Sequence, residues 1–143
     1  MKKINYAGTN FYVDNIQYSE KEKLVRKIVD EYNQQPNSKP DSWDENVFTT
    51  IQYGGYKNNF EYFELAGIPF DLVAVINEKV QEVINQESLN KLGTFYISEM
   101  WCNAYKNGQY QHMHKHSNNT NNFFSGVYYI SFDNDEHSST RFY

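Results

Sequence analysis

The chain has 143 residues, a formal net charge of −5, and 23 tyrosine and phenylalanine residues among its apolar side chains (13 Tyr, 10 Phe). An acidic chain lacks the basic surface that binds nucleic acid or anionic membranes, so its charge excludes those functions. The length predicts a single domain, 1–143, and the aromatic content favours sheets over an aliphatic helical bundle. An α+β or all-β class is therefore indicated.

Cysteine content and hydropathy indicate the compartment. Cys102 is the only cysteine, which excludes an internal disulfide and fits a reducing environment. We expect Cys102 to be a small core residue rather than a nucleophile. The first ten residues lack the continuous apolar run of a signal peptide, and no stretch approaches the ~18 apolar residues of a membrane span. A soluble cytoplasmic protein is the expectation.

The first part of the chain predicts short strands followed by a helix. Residues 6–17 alternate apolar and polar positions, as one or two short strands do. Ser19 and Glu22 then have the spacing of a capping box. Apolar residues recur after them at helical spacing, at Leu24, Val25, Ile28, Val29 and Tyr32. This stripe predicts a helix that ends near Gln35, before Pro36.

A strand and a second helix come next. Residues 47–53 read as a strand closed by a turn at Gly54-Gly55. From Pro69, which suits the first turn of a helix, apolar residues recur every three or four positions, at Leu72, Val73, Ile76, Val80, Val83 and Ile84. We expect Leu72, Ile76, Val80 and Val83, together with the apolar stripe of the first helix, to pack on a sheet.

The most informative stretch begins after Gly93. Residues 94–105 predict a strand, and Asn107-Gly108 predicts a tight hairpin turn into the next strand. That strand carries three of the four histidines at every second position, His112, His114 and His116. Because alternate side chains of a strand share a face, with Cα atoms roughly 6–7 Å apart, two neighbouring imidazoles can converge on one metal ion. Solvated surface histidines are the alternative interpretation.

Several residues in this region resemble a known family. The resemblance rests on the ordered set Trp101, Asn103, Gly108, His114, His116 and Ser125 to Tyr129 (S-G-V-Y-Y). This set is similar to that of the 2-oxoglutarate- and Fe(II)-dependent oxygenase family of bacteria and marine phages. The resemblance covers the last third of the chain well and the rest loosely. The family glycine precedes its first motif histidine by six residues, as Gly108 precedes His114, which favours the pair His114 and His116. The chain also departs from the family pattern. Ser117 stands where the family usually has proline, and many relatives in the wider superfamily have H-x-D where this chain has H-x-H.

The resemblance implies a partial double-stranded β-helix of the jelly-roll or cupin-like kind. Residues 1–93 would form the helical support, with two N-terminal helices packed on the sheet, and residues 94–143 the β core. His114 and His116 would hold Fe(II), with 2-oxoglutarate as cosubstrate and a small molecule or protein as the hydroxylated substrate. It also suggests cofactor contacts at Asn103, Tyr110 and Tyr129. The cytoplasm of a bacterium or of a phage-infected host is the implied location.

The family's distal half has no counterpart here. Its third metal ligand is a late histidine, and the strands leading to it need on the order of 50–60 residues after the H-x-H. Only 27 of the 143 residues follow His116. His137 lies in an acidic turn, and Arg141 substitutes poorly for the basic residue that binds 2-oxoglutarate. We therefore expect an N-terminal portion of an oxygenase, completed by a missing half, a partner chain or a homo-oligomer.

Two alternatives from other classes stay open. A cupin-like domain would bind metal without 2-oxoglutarate, although the glutamate of the cupin signature is Thr120 or Asn121 here. A non-catalytic structural or interaction protein would keep only a degenerate barrel. A catalytic metal site normally has three protein ligands, and an H-x-H pair supplies two.

Overall fold

The structure, a computed structural model, describes residues 1–34, 47–50, 67–111, 124–133 and 135. The described elements are β1 (Lys2–Tyr6), β2 (Thr9–Val13), α1 (Lys21–Gln34), β3 (Phe48–Thr49), α2 (Phe70–Gln86), a 3-10 helix (Leu89–Lys91) and β4 (Asn103–Ala104). β1 pairs with β2 and β3 with β4, both antiparallel. The two helices and two small sheets of the described residues confirm the α+β class. The strands of the described ranges close no barrel, so the double-stranded β-helix remains a prediction.

β1 and β2 form a hairpin with a two-residue turn. The register pairs Tyr6 with Thr9, leaving Ala7 and Gly8 as the turn residues. Both have positive φ, 49° at Ala7 and 82° at Gly8. This is the pattern of a type I′ turn, whose twist matches that of the flanking strands. β2 confirms a short strand within residues 6–17, whereas β1 precedes that range except at Tyr6, and residues 14–17 belong to neither strand.

Ion pairs join the hairpin to α2. The Lys3 ammonium lies 2.8 Å from each carboxylate oxygen of Glu87, just beyond the helix. The Lys79 ammonium lies 3.2 Å from Asp14, just beyond β2. The hydrogen bond from Lys3 lowers the pKa of Glu87. These contacts lie nearer the open end of the hairpin than its turn.

The core lies where α1 and α2 meet β3 and β4. Its buried members are Leu24, Ile28, Phe48, Ile68, Leu72, Val73 and Cys102. On α1 the predicted apolar face is confirmed at Leu24 and Ile28, and Val25 is half-buried. The prediction is wrong at Val29, whose side chain is 48% exposed. The buried stripe is narrower than the apolar stripe of the sequence.

α1 begins at Lys21, later than the predicted cap. The N–H of Lys21 donates to the carbonyl of Tyr18 at 3.2 Å. A backbone turn therefore leads into the helix at the place where Ser19 and Glu22 had predicted a capping box. The helix ends at Gln34, one residue before the predicted end.

α2 follows Pro69 as predicted, but it is buried unevenly. Leu72, in its first turn, and Val83, near its end, are buried as expected. Ile76 and Val80 between them are only half-buried. The middle of the helix is therefore less covered than its ends, and substitutions at Ile76 should cost less than substitutions at Leu72.

Candidate functional site

The segment leading to the histidines alternates in burial over two short stretches. Phe95 and Ile97 are half-buried between exposed neighbours, and Cys102 and Ala104 are buried or half-buried around the exposed Asn103. The alternation shifts by one residue between them, where Ser98 and Glu99 are exposed and Met100 and Trp101 are both half-buried. Ladder pairing within the described residues is confined to Asn103–Ala104, opposite Phe48–Thr49. The predicted strand over residues 94–105 is thus present as an alternating pattern but only partly as a paired strand.

A side chain interrupts the ladder beside β4. The N–H of Thr50 donates to the carbonyl of Cys102 at 3.0 Å, as an antiparallel ladder requires. The N–H of Cys102, however, donates to the Thr50 hydroxyl oxygen at 2.9 Å. Thr50 and Cys102 are each 5% exposed. The Thr50 hydroxyl therefore takes the place that a backbone carbonyl would have in a regular pair.

Cys102 is a core residue, as expected. It belongs to the buried cluster, and burial raises the pKa of its thiol to about 12. Only the thiolate is a good nucleophile or metal ligand. The raised pKa keeps the Cys102 thiol protonated at neutral pH, as suits a core residue.

A tight turn follows β4, at the place that Asn107-Gly108 predicts. The N–H of Gln109 donates to the carbonyl of Lys106 at 3.0 Å. Gly108 has a φ of 81°, and Asn107 has a negative φ. Positive φ at the second central residue alone is the pattern of a type II turn, whereas a type I′ turn needs it at both. The tight turn is confirmed, but its geometry is not the one that Asn-Gly favours in hairpins.

The two arms that leave this turn are bridged. The Tyr105 hydroxyl donates to the side-chain oxygen of Gln111 at 3.2 Å. Although Tyr105 is 40% exposed, partial desolvation of its phenol raises its pKa, so the phenol stays protonated as a donor at neutral pH. The loop from Tyr105 to Gln111 is thereby closed on itself directly before His112.

The three suggested cofactor contacts are exposed and uncharged. Asn103 lies on the outer face of β4. Tyr110 follows the turn and is 54% exposed, and Tyr129 is 49% exposed with its ring centroid 5.4 Å from that of Phe132. Such groups can hydrogen-bond to a carboxylate but add no positive charge. Sequence reasoning missed Lys106, a cation that lies between Asn103 and Tyr110 in the sequence and belongs to no motif.

The proposed metal ligands, His114 and His116, lie outside the described residues, as do His112 and His137. Within the described ranges, no group of three His, Cys, Asp or Glu side chains is placed to hold a metal ion. No helix of the described part is long and apolar enough to cross a membrane.

Comparisons with known proteins yield no relative. No family model matches the chain, and neither a curated protein nor a solved structure is significantly similar to it. The resemblance to the oxygenase family therefore stays a prediction from the residues named above.

Proposed function

We propose that this chain is part of an Fe(II)- and 2-oxoglutarate-dependent oxygenase whose metal ion is held by His114 and His116. The observation that carries the proposal is the run of three alternating histidines directly after a tight turn, with Gly108 six residues before His114. The turn itself and the closed loop up to Gln111 support this arrangement.

The donor set fits a borderline metal ion. Neutral imidazoles suit iron and other first-row transition metals, and two of them leave positions for a bidentate cosubstrate and oxygen. With 2-oxoglutarate bound, Fe(II) would supply the oxidation of a substrate C–H bond by molecular oxygen. The chain would hold the metal through the two imidazoles and orient the cosubstrate.

Neighbouring groups would assist this role. Asn103, Tyr110 and Tyr129 would donate hydrogen bonds to the 2-oxoglutarate carboxylates from the exposed side of the chain. Cys102 precedes Asn103 but is buried and protonated. A thiolate oxidises readily. The burial and protonation of Cys102 would therefore protect it from the oxidative chemistry of the site.

Calorimetric titration of the purified protein with Mn(II), a redox-stable substitute for Fe(II), tests the site. The His114→Ala and His116→Ala variants should each lose most of the binding. The matched control is His112→Ala, which removes a histidine from the same run but outside the proposed pair. Binding by the wild type should weaken below about pH 6.5, where free imidazoles become protonated.

The results separate the candidate functions. Mn(II) uptake that strengthens when 2-oxoglutarate is added supports the oxygenase, because the cosubstrate would complete the metal's coordination. Uptake indifferent to 2-oxoglutarate supports a cupin-like metal domain. Equal, feeble uptake by the wild type and all three variants would refute the metal site and leave the structural or interaction protein.

The affinity for Mn(II) also indicates how many protein side chains bind the metal ion. Two imidazoles should bind Mn(II) weakly, since every missing ligand leaves a position to water. Tight uptake would mean that a third protein ligand exists, and a His137→Ala variant would show whether that histidine provides it. If tight binding survives this substitution but depends on protein concentration, a second chain supplies the ligand.

A further inference from the structure

Tyr32, near the end of α1, contacts the turn that precedes the histidines. Its hydroxyl accepts a hydrogen bond from the side-chain amide of Gln109 at 3.2 Å. The Lys106 ammonium lies 4.3 Å from its ring centroid, within the range of a cation–π interaction. The ring is also tilted against Phe48 of β3, with centroids 5.8 Å apart. One aromatic side chain thus joins the helix, the small sheet and both ends of the turn.

The backbone geometry of the turn explains why side-chain contacts matter here. A type II pattern does not match the twist of paired strands and tends to splay them, whereas the type I′ turn favoured by Asn-Gly would hold them together. The Lys106 N–H donates to the Gln109 side-chain oxygen at 2.6 Å. The backbone preference of the turn alone therefore does not fix the direction in which the chain leaves it.

We propose that Tyr32 is a positioning residue that holds Lys106 and Gln109 on α1 and so sets the course of the chain into the histidine segment. The bond from Tyr105 to Gln111 extends the fixed loop to the residue before His112. The consequence for metal binding rests on the proposed function. The contact itself does not, so the two can fail separately.

The test compares Tyr32→Phe and Tyr32→Leu with a matched control, Tyr18→Phe. Tyr18 also packs against the core cluster, and its hydroxyl donates to Asp71 at 3.0 Å. It precedes the start of α1, whereas Tyr32 lies near the end of that helix. Each Tyr→Phe change removes one phenol hydroxyl and keeps the ring. Two quantities are measured: amide hydrogen exchange of residues 106–111 by NMR, and the Mn(II) dissociation constant by calorimetry.

In Tyr32→Phe, exchange at residues 106–111 should accelerate about three- to tenfold, the effect of losing one net hydrogen bond, and the Mn(II) dissociation constant should rise by a similar factor. Tyr32→Leu should change both further, because it also removes the aromatic face beneath Lys106. Tyr18→Phe should leave both quantities at their wild-type values. Lys106→Met, which removes the charge and keeps the length, should resemble Tyr32→Phe.

Three results would overturn the positioning role. They are unchanged exchange at residues 106–111 in both Tyr32 variants, an equal acceleration in Tyr18→Phe, and faster exchange with an unaltered Mn(II) affinity. A wild type that takes up no Mn(II) would instead refute the proposed function, and the exchange data alone would then decide whether Tyr32 fixes the turn.

Discussion

Replacing Thr50 by valine tests the hydroxyl that substitutes for a ladder carbonyl. Valine has nearly the same shape, so no cavity forms, but the Cys102 N–H loses its acceptor in a site where both residues are 5% exposed. An unsatisfied buried donor costs about 1–3 kcal/mol. Burying a methyl in place of a hydroxyl offsets up to about 0.8 kcal/mol of this. We expect Thr50→Val to lower the free energy of unfolding by about 1–2 kcal/mol.

Urea unfolding followed by tryptophan fluorescence measures this loss, because Trp101 is the neighbour of Cys102 in sequence. A second pair, Thr50→Ser and Thr50→Ala, differs only by the hydroxyl and should show a difference of the same sign and about 1–3 kcal/mol in size. A drop of about 2–8 °C in melting temperature should accompany Thr50→Val in a chain of this length. If Thr50→Val is as stable as the wild type and the Ser and Ala variants are equal, the hydroxyl does not hold the Cys102 amide.

Three further predictions concern stability. Ala7→Asn gives the Asn-Gly pair that a type I′ turn prefers and should raise the free energy of unfolding by about 0.5–1 kcal/mol in urea titrations, whereas Ala7→Val should lower it. Leu72→Ala should cost about 2–5 kcal/mol and Val29→Ala less than about 0.5 kcal/mol; equal losses would contradict their different burial. Because burial raises the pKa of Cys102 from 9.0 to about 12, the unfolded thiol ionises in this window while the folded one stays neutral. Stability should therefore fall as pH rises through it, and Cys102→Ala should reduce that fall in urea unfolding measured against pH.

The elements that could be predicted from the sequence are those set by local pattern. The apolar repeat after Pro69 gave α2, and the stripe around Leu24 and Ile28 gave α1, because a helix buries positions three and four apart. Val29 shows the limit of that reasoning. It is as apolar as Ile28, but burial depends on how wide the neighbouring surface is, and periodicity carries no information about that width.

The contacts that could not be predicted join residues far apart in sequence. The bond between Thr50 and Cys102 spans 52 residues, and that between Tyr32 and Gln109 spans 77. Threonine, tyrosine and glutamine occur in many surroundings, and no spacing marks them as partners. Asn107-Gly108 correctly predicted a tight turn. Its backbone geometry, however, differs from the type I′ turn that Asn-Gly prefers in hairpins.

The same substitution of a side chain for the backbone occurs on both sides of β4. Before the strand, the Thr50 hydroxyl accepts the Cys102 N–H, and after it the Gln109 side chain accepts the Lys106 N–H. In a regular ladder the acceptors are backbone carbonyls, which remain when a side chain is substituted. Here two polar side chains hold the backbone on either side of Asn103–Ala104. We therefore expect these polar side chains, in addition to the apolar core, to control how the chain leaves β4 toward His112.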